Sequence, residues 1–247
     1  GGAFCMGVAP DWHPYVLVNY LNRSRDVLTL AHELGHGVHD LLASGQRFLE
    51  YHPSLAAAET ASVFGEMLTF DALLGREMPS RQRLALLTDQ VEGIFATVFR
   101  QTAMYRFEQA VHAARRERGE LTADEVNALW QGAVQPMFGD SVVLGEGHRV
   151  WWMYVPHFVH TPFYVYAYAF GQLLVIALYA RYREEGAAFV PRYLEILRAG
   201  GSKRPAQIMA DAGIDISRPE FWEGGLQVVD RMVTQAEEVW RVVQAGG

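Results

Sequence analysis

The chain has a single cysteine, Cys5, in 247 residues. That excludes an internal disulfide framework and makes a reducing cytoplasm the expected setting. It also lacks an excess of positive charge. With 21 Lys and Arg against 28 Asp and Glu, the net charge is −7, which argues against nucleic acid as a partner. The basic run Arg115-Arg116-Glu117-Arg118 reads as a solvated helix end. No signal peptide, internal repeat or low-complexity tract is visible within these residues, and no linker is long enough to separate two independent domains. One stretch lacks charge altogether: Phe163 to Ala180, long enough for a membrane span. Four tyrosines and Gln172 lie inside it, His157 and His160 precede it, and Arg181 to Glu185 closes it. A buried core helix fits that pattern better, so no membrane association is expected.

What is present is chemically specific. His32-Glu33-Leu34-Gly35-His36 is a complete HExxH motif. With nine histidines in 247 residues, about 0.02 accidental matches are expected, few enough to read the motif as chemistry. Side chains four apart share a helix face, so His32 and His36 can converge on one Zn²⁺. At ~100° per residue Glu33 projects roughly 60° further round than His36, beside the metal. There it can take a proton from a water that the metal holds. Val27, Leu28, Leu30 and Ala31 before the motif, and Val38, Leu41 and Leu42 after it, recur at helical spacing. They are expected to bury one side of the helix.

A catalytic zinc site needs a third protein ligand and one open position. The extended motif HExxHxxGxxH fails, because His39 stands at its glycine position and Leu42 at its last histidine. Asp40 is poorly placed along the same helix, and Glu50 lies in the polar, loop-like segment from Ser44 to Pro53. Glu59 is the best candidate, near the start of a second helix expected over 54–74 with Ser54 as its N-cap. A helix–loop–helix hairpin would bring it antiparallel to the first helix. Glu66, seven residues on, suits the acceptor that holds a ligating imidazole. His39, on the ligand side of the first helix, is assigned to the pocket wall.

Elsewhere the pattern is helical. Helices are expected over 80–118 with a bend or split near Gly93, and over 122–135, 162–184, 187–199, 204–212 and 219–244. The strand territory is Gly1 to Tyr20. Tyr15-Val-Leu-Val-Asn-Tyr20 is expected to form a small sheet beside the zinc helix, where an extended substrate could pair with its edge.

The string Thr29 to His36, then His39, Ala58-Glu-Thr-Ala-Ser62 and Gly65-Glu66, resembles the oligoendopeptidase F and thimet oligopeptidase family of zinc peptidases. Arg100 to Glu108, Val155 to Phe158 and Pro162 to Tyr168 carry the same likeness, which covers essentially the whole chain. The resemblance implies a mainly α, zincin-like catalytic lobe, a helical bundle with a small N-terminal β-sheet or hairpin. It implies one zinc ion held by His32, His36 and Glu59, Glu33 as general base, and short peptides as substrates. Family proteins are longer and this chain begins without Met. Residues 1–247 are therefore read as one zinc-peptidase catalytic domain, the C-terminal part of a longer protein.

Peptide hydrolysis also needs donors for the oxyanion that forms on attack. His157 with Tyr164, Tyr166 and Tyr168 is the densest cluster of such groups. On a helix Tyr164 and Tyr168 would share a face while Tyr166 points elsewhere. The resemblance makes His157 and two of these tyrosines the expected substrate contacts, and Tyr164 and Tyr168 are chosen. Two other readings stay open. A zinc carboxypeptidase would need a cation to hold a free carboxylate. A noncatalytic, zinc-stabilised peptide-binding fragment would bind but not cleave.

Overall fold

The computed structural model describes residues 2–246. Two compact units divide the chain, Gly1–Glu92 with Gly171–Gly247, and Gly93–Phe170. The fold is mainly α with one small antiparallel hairpin.

In the first unit, β1 (Phe4–Met6) pairs with β2 (Tyr15–Leu17) in the register Phe4 to Leu17. The strand expected over 15–20 therefore stops at Leu17. Helix α1 (Ser24–Ala43) follows. Its start is fixed by Asp26, whose carboxylate accepts the N–H groups of Arg23 at 2.9 Å and Leu21 at 2.7 Å, donors left unpaired at a helix N-terminus. Those two bonds hold Asp26 below the usual carboxylate pKa. At the far end Ser44 Oγ donates to the Leu41 carbonyl at 2.8 Å. The hairpin lies beside α1 over Gly37, where an added Cβ would meet Pro14, Cys5 and Val16 at 3.7–4.0 Å.

The expected apolar stripe of α1 holds in part: Val27, Leu28, Leu30, Ala31 and Leu42 are half-buried, but Val38 and Leu41 are not. Leu34, Val38 and Leu41 are exposed, whereas Glu33, Gly35, Gly37, His39 and Ala43 are buried. At Gly35 the inward residue is glycine because the backbone at Ala61 and Ser62 comes too close for a side chain. A Cβ on Gly35 would stand 2.5 Å from the Ala61 carbonyl oxygen and 2.6 Å from Ser62 Cα.

The segment expected as one helix over 54–74 is broken. A short turn α2 (Phe48–Tyr51) lies in the region read as loop, followed by α3 (Leu55–Ala58) and α4 (Ser62–Leu74). Glu59 is the C-cap of α3, with φ −81° and ψ 2°, so it sits in the Glu59–Ala61 turn and not on a helix. Alanine-rich composition favours helix but does not mark where tertiary contacts interrupt it.

Helix α5 (Ser80–Phe95) passes through a π-turn, Ala96–Arg100, into α6 (Gln101–Arg118). The helix changes character just past Gly93, where a bend or split was expected, and Gly93 itself lies within α5. In the second unit α6 packs on α7 (Ala123–Phe138) around Ala103, Phe107, Trp130 and Val134. Thr122 and Glu125 cap α7 reciprocally, each accepting the other's backbone N–H. The helix runs on through Pro136, where a break was expected. A 3-10 segment, Glu146–Tyr154, leads to the short α8 (His157–His160).

Helix α9 (Tyr166–Glu185) returns to the first unit. Its residues Leu174 to Tyr179 are at most 3% exposed, as expected of a core helix. No helix among the described residues is long and apolar enough to cross a membrane. Helices α10 (Val190–Arg198), α11 (Pro205–Asp211) and α12 (Pro219–Ala245), with Phe189 just before α10, add Phe189, Tyr193, Leu197, Met209, Phe221 and Met232 to the buried residues. Each large apolar side chain buried there contributes about 1.5–3 kcal/mol. Phe64 of α4 stacks on Tyr193 with centroids 4.2 Å apart, which anchors α4 under the Glu59–Ala61 turn.

Candidate metal centre

Helix α1 presents His32 and His36 one turn apart, with Nε2 atoms separated by 3.1 Å. Glu59 Oε2 lies 3.4 Å from His32 Nε2 and 3.6 Å from His36 Nε2. Three ligand atoms at about 2.0–2.1 Å from one zinc ion, at tetrahedral angles, would be about 3.3 Å from each other. The observed separations bracket that value. All three residues are partly buried, and this group could hold a metal ion.

The surrounding contacts explain why these atoms converge. His32 Nδ1–H donates to Glu66 Oε1, which aims Nε2 at Glu59 and His36 and places Glu66 as the sequence suggested. Burial opposes protonation of His32. The hydrogen bond to Glu66 and the charges of Glu66, Glu59 and Glu33 outweigh it, and the pKa rises. Close approach of α4 to α1 carries Glu66 to this position: a Cβ on Gly65 would lie 3.0 Å from the Ala31 carbonyl.

The Glu59 turn is held from three directions. Ser62 Oγ donates to Glu59 Oε2 at 2.7 Å. The buried Tyr193 hydroxyl donates to the Thr60 carbonyl at 2.8 Å. His39, 4% exposed, hydrogen-bonds the Ala58 backbone. Its assignment to the pocket wall is therefore corrected: it packs beneath the turn. Burial, reinforced by the charge of His36, pushes the His39 pKa down to about 4 against that hydrogen bond. Sequence reading missed Ser62 and Tyr193. Ser62 had a signal, three residues beyond the candidate ligand; Tyr193, 133 positions from Thr60, had none.

Glu33 is 7% exposed and sits between the two histidines on α1. The other carboxylates weighed as ligands go elsewhere. Asp40 faces the Cys5 thiol, with Sγ to Oδ2 at 3.9 Å, and Glu50 pairs with Arg47. Burial, then the charges of Asp40 and Glu33, push the Cys5 thiol up to about 11, which disfavours its thiolate.

In the second unit His157, Tyr164 and Tyr168 are brought together. His157 Nε2 is 3.3 Å from the Tyr168 hydroxyl. The His157 and Tyr164 rings are parallel within 6°, with centroids 5.9 Å apart. Tyr164 meets Tyr168 edge-on at 5.1 Å. Tyr164 lies before α9 and not on it, so the shared helix face is corrected to a turn folding onto a first helical turn. Tyr166 points away and packs against Tyr105.

Comparison with known proteins agrees with this architecture. The family model described as peptidase family M3 matches residues 1–228. The oligopeptidase PepF of Bacillus subtilis (strain 168) is 33% identical over 96% of this chain and 35% of its own length. A solved structure from Chlamydophila abortus, 28% identical, matches with a TM-score of 0.88 over 97% of this chain and 40% of its own. The oligoendopeptidase F of Enterococcus faecium, 26% identical, matches with a TM-score of 0.77 over 88% and 39%. The chain thus spans 35–40% of these longer relatives. With a match over nearly all its length, and the HExxH helix set against a glutamate-bearing turn, the chain belongs to peptidase family M3.

Proposed function

We propose that this chain is the catalytic domain of a zinc-dependent endopeptidase that hydrolyses short oligopeptides. The observation that carries the reading is the near-equilateral triangle of His32 Nε2, His36 Nε2 and Glu59 Oε2. Two imidazoles and one carboxylate, with a free corner, are the donor set of a hydrolytic zinc site. Bound there, zinc would polarise the scissile carbonyl and acidify a water at its open position.

The protein's own groups do the rest. Glu66 fixes the tautomer of His32 so that Nε2 keeps its lone pair for the metal. Ser62 restrains the Glu59 carboxylate, and α1 fixes the two imidazoles, so the ligands need little reorganisation. Glu33 accepts the proton of the attacking water at its carboxylate and delivers it to the departing amine nitrogen. A positioned base of this kind is worth about 10²–10⁴ in rate. His157, Tyr164 and Tyr168 are assigned to substrate: their N–H and O–H donors suit the oxyanion. Short peptides are the assigned partner, and a reducing cytoplasm suits a chain with a single cysteine.

The test is E33Q. It should retain zinc at wild-type stoichiometry and lose at least about 10²-fold in turnover of peptides blocked at both ends. Wild-type turnover at full metal content would remove Glu33 as the base. Cleavage confined to peptides with a free terminus would remove the endopeptidase assignment.

A further inference from the structure

One buried carboxyl has no part in the metal centre. Glu108, on α6 in the second unit, is 2% exposed. Its Oε1 accepts the backbone N–H of Phe163 at 2.8 Å, while its Oε2 is buried without a hydrogen-bond partner. Burying a carboxyl with half its acceptors unmet is unfavourable. A side chain kept only to fill space would be better served by methionine or leucine. Burial raises the Glu108 pKa, against the Phe163 N–H and the charges of His112 and His157.

Its partner is equally unusual. Phe163 has φ +59°, a left-handed conformation that a bulky residue does not adopt unaided. Its ring is held against His112, centroids 4.7 Å apart, and its backbone by Glu108. The next residue is Tyr164, whose ring lies parallel to His157. The turn is short: Thr161 N–H donates to the His157 carbonyl at 3.0 Å, and Tyr164 N–H to the Thr161 carbonyl at 3.2 Å. A change of φ at 163 would therefore redirect Tyr164 away from His157.

We propose that Glu108 is a positioning residue: its buried carboxyl latches the Phe163 N–H, imposes the left-handed turn, and so stacks Tyr164 on His157. The inference rests on the reading that this cluster meets substrate.

Two near-isosteric variants separate latching from packing. E108Q keeps an acceptor oxygen; E108M keeps the volume without one. In the zinc-loaded protein, E108Q should hold kcat within about threefold of wild type. E108M should lower kcat at least about tenfold with KM changed less than about threefold and zinc content unchanged. Hydrogen exchange gives a readout independent of turnover: the Phe163 amide should exchange at least about tenfold faster in E108M than in wild type or E108Q. Equal kcat in E108M and E108Q, or equally slow exchange at Phe163, overturns the latch. Should E108M not fold, F163P removes the same N–H and forces φ to about −65° with Glu108 intact; it should show the same kcat loss, and wild-type kcat overturns the proposal. H157A distinguishes the two claims. If H157A is impaired while E108M is not, the latch alone is wrong; if H157A turns over normally, the assignment of this cluster to substrate fails and takes the proposal with it.

Discussion

Gly35→Ala is the most revealing small perturbation of this fold. A methyl group there would stand 2.5 Å from the Ala61 carbonyl oxygen and 2.6 Å from Ser62 Cα, against ordinary contacts that begin near 3.4 Å. Both opposing atoms belong to the backbone, so no side chain can swing aside. The Ala61–Ser62 segment must then retreat from α1 by about 0.9 Å, or the helix must bend. Alanine gains about 1 kcal/mol of helix propensity over glycine, while overpacking of this kind costs typically 1–3 kcal/mol. The relief of backbone entropy therefore offsets only part of the strain. The retreating segment begins two residues after Glu59, so ligand geometry suffers more than stability. We expect zinc affinity to fall at least about tenfold, or about 1.4 kcal/mol. The Tm should move by only a few degrees, since about 1 kcal/mol shifts a domain of this size by roughly 2–4 °C. Chelator competition measures the first and thermal unfolding of the metal-free protein the second. Wild-type zinc affinity in G35A would refute the claim that this helix contact sets the metal site.

Further outcomes follow from the same contacts. Glu66→Ala removes the acceptor of His32 Nδ1–H and should weaken zinc binding about 10–100-fold, read by the same competition. His39 gives a pH signature in the metal-free protein. Its pKa falls from the ordinary 6.5 to about 4 in the fold, so the unfolded chain takes up the proton first as pH drops. The stability is complete above pH 6.5 and is lost as pH falls from there toward 4. The loss is about 3 kcal/mol at 1.36 kcal/mol per pH unit. Urea denaturation at pH 7.5, 5.5 and 4.5 should show that decline, and His39→Gln should flatten it.

What could be read in advance follows the range of the physics involved. The spacing of His32 and His36 is a local property of a helix, so their convergence was legible from five residues. Glu59 was legible as a residue but not in its setting. Its Ala-rich neighbourhood suggests unbroken helix, while the Tyr193 bond to the Thr60 carbonyl holds a turn there. The burial pattern of α1 departs from the expected stripe at two positions for a related reason. Val38 and Leu41 look like core residues by hydropathy yet are exposed, and backbone proximity at Ala61 and Ser62 leaves no room for a side chain at Gly35. Tyr164 and Tyr168 were paired by a helical argument that does not hold, and they meet through the left-handed turn at Phe163. No local propensity encodes a positive φ at phenylalanine. It depends on Glu108, 55 positions away.

Zinc-edge anomalous diffraction from crystals of the zinc-loaded protein shows whether His32, His36 and Glu59 together hold one metal ion. A single anomalous peak is expected within about 2.0–2.2 Å of His32 Nε2, His36 Nε2 and a Glu59 carboxylate oxygen, with a non-protein ligand completing the shell. A peak elsewhere, or a fourth protein side chain filling that shell, would contradict it.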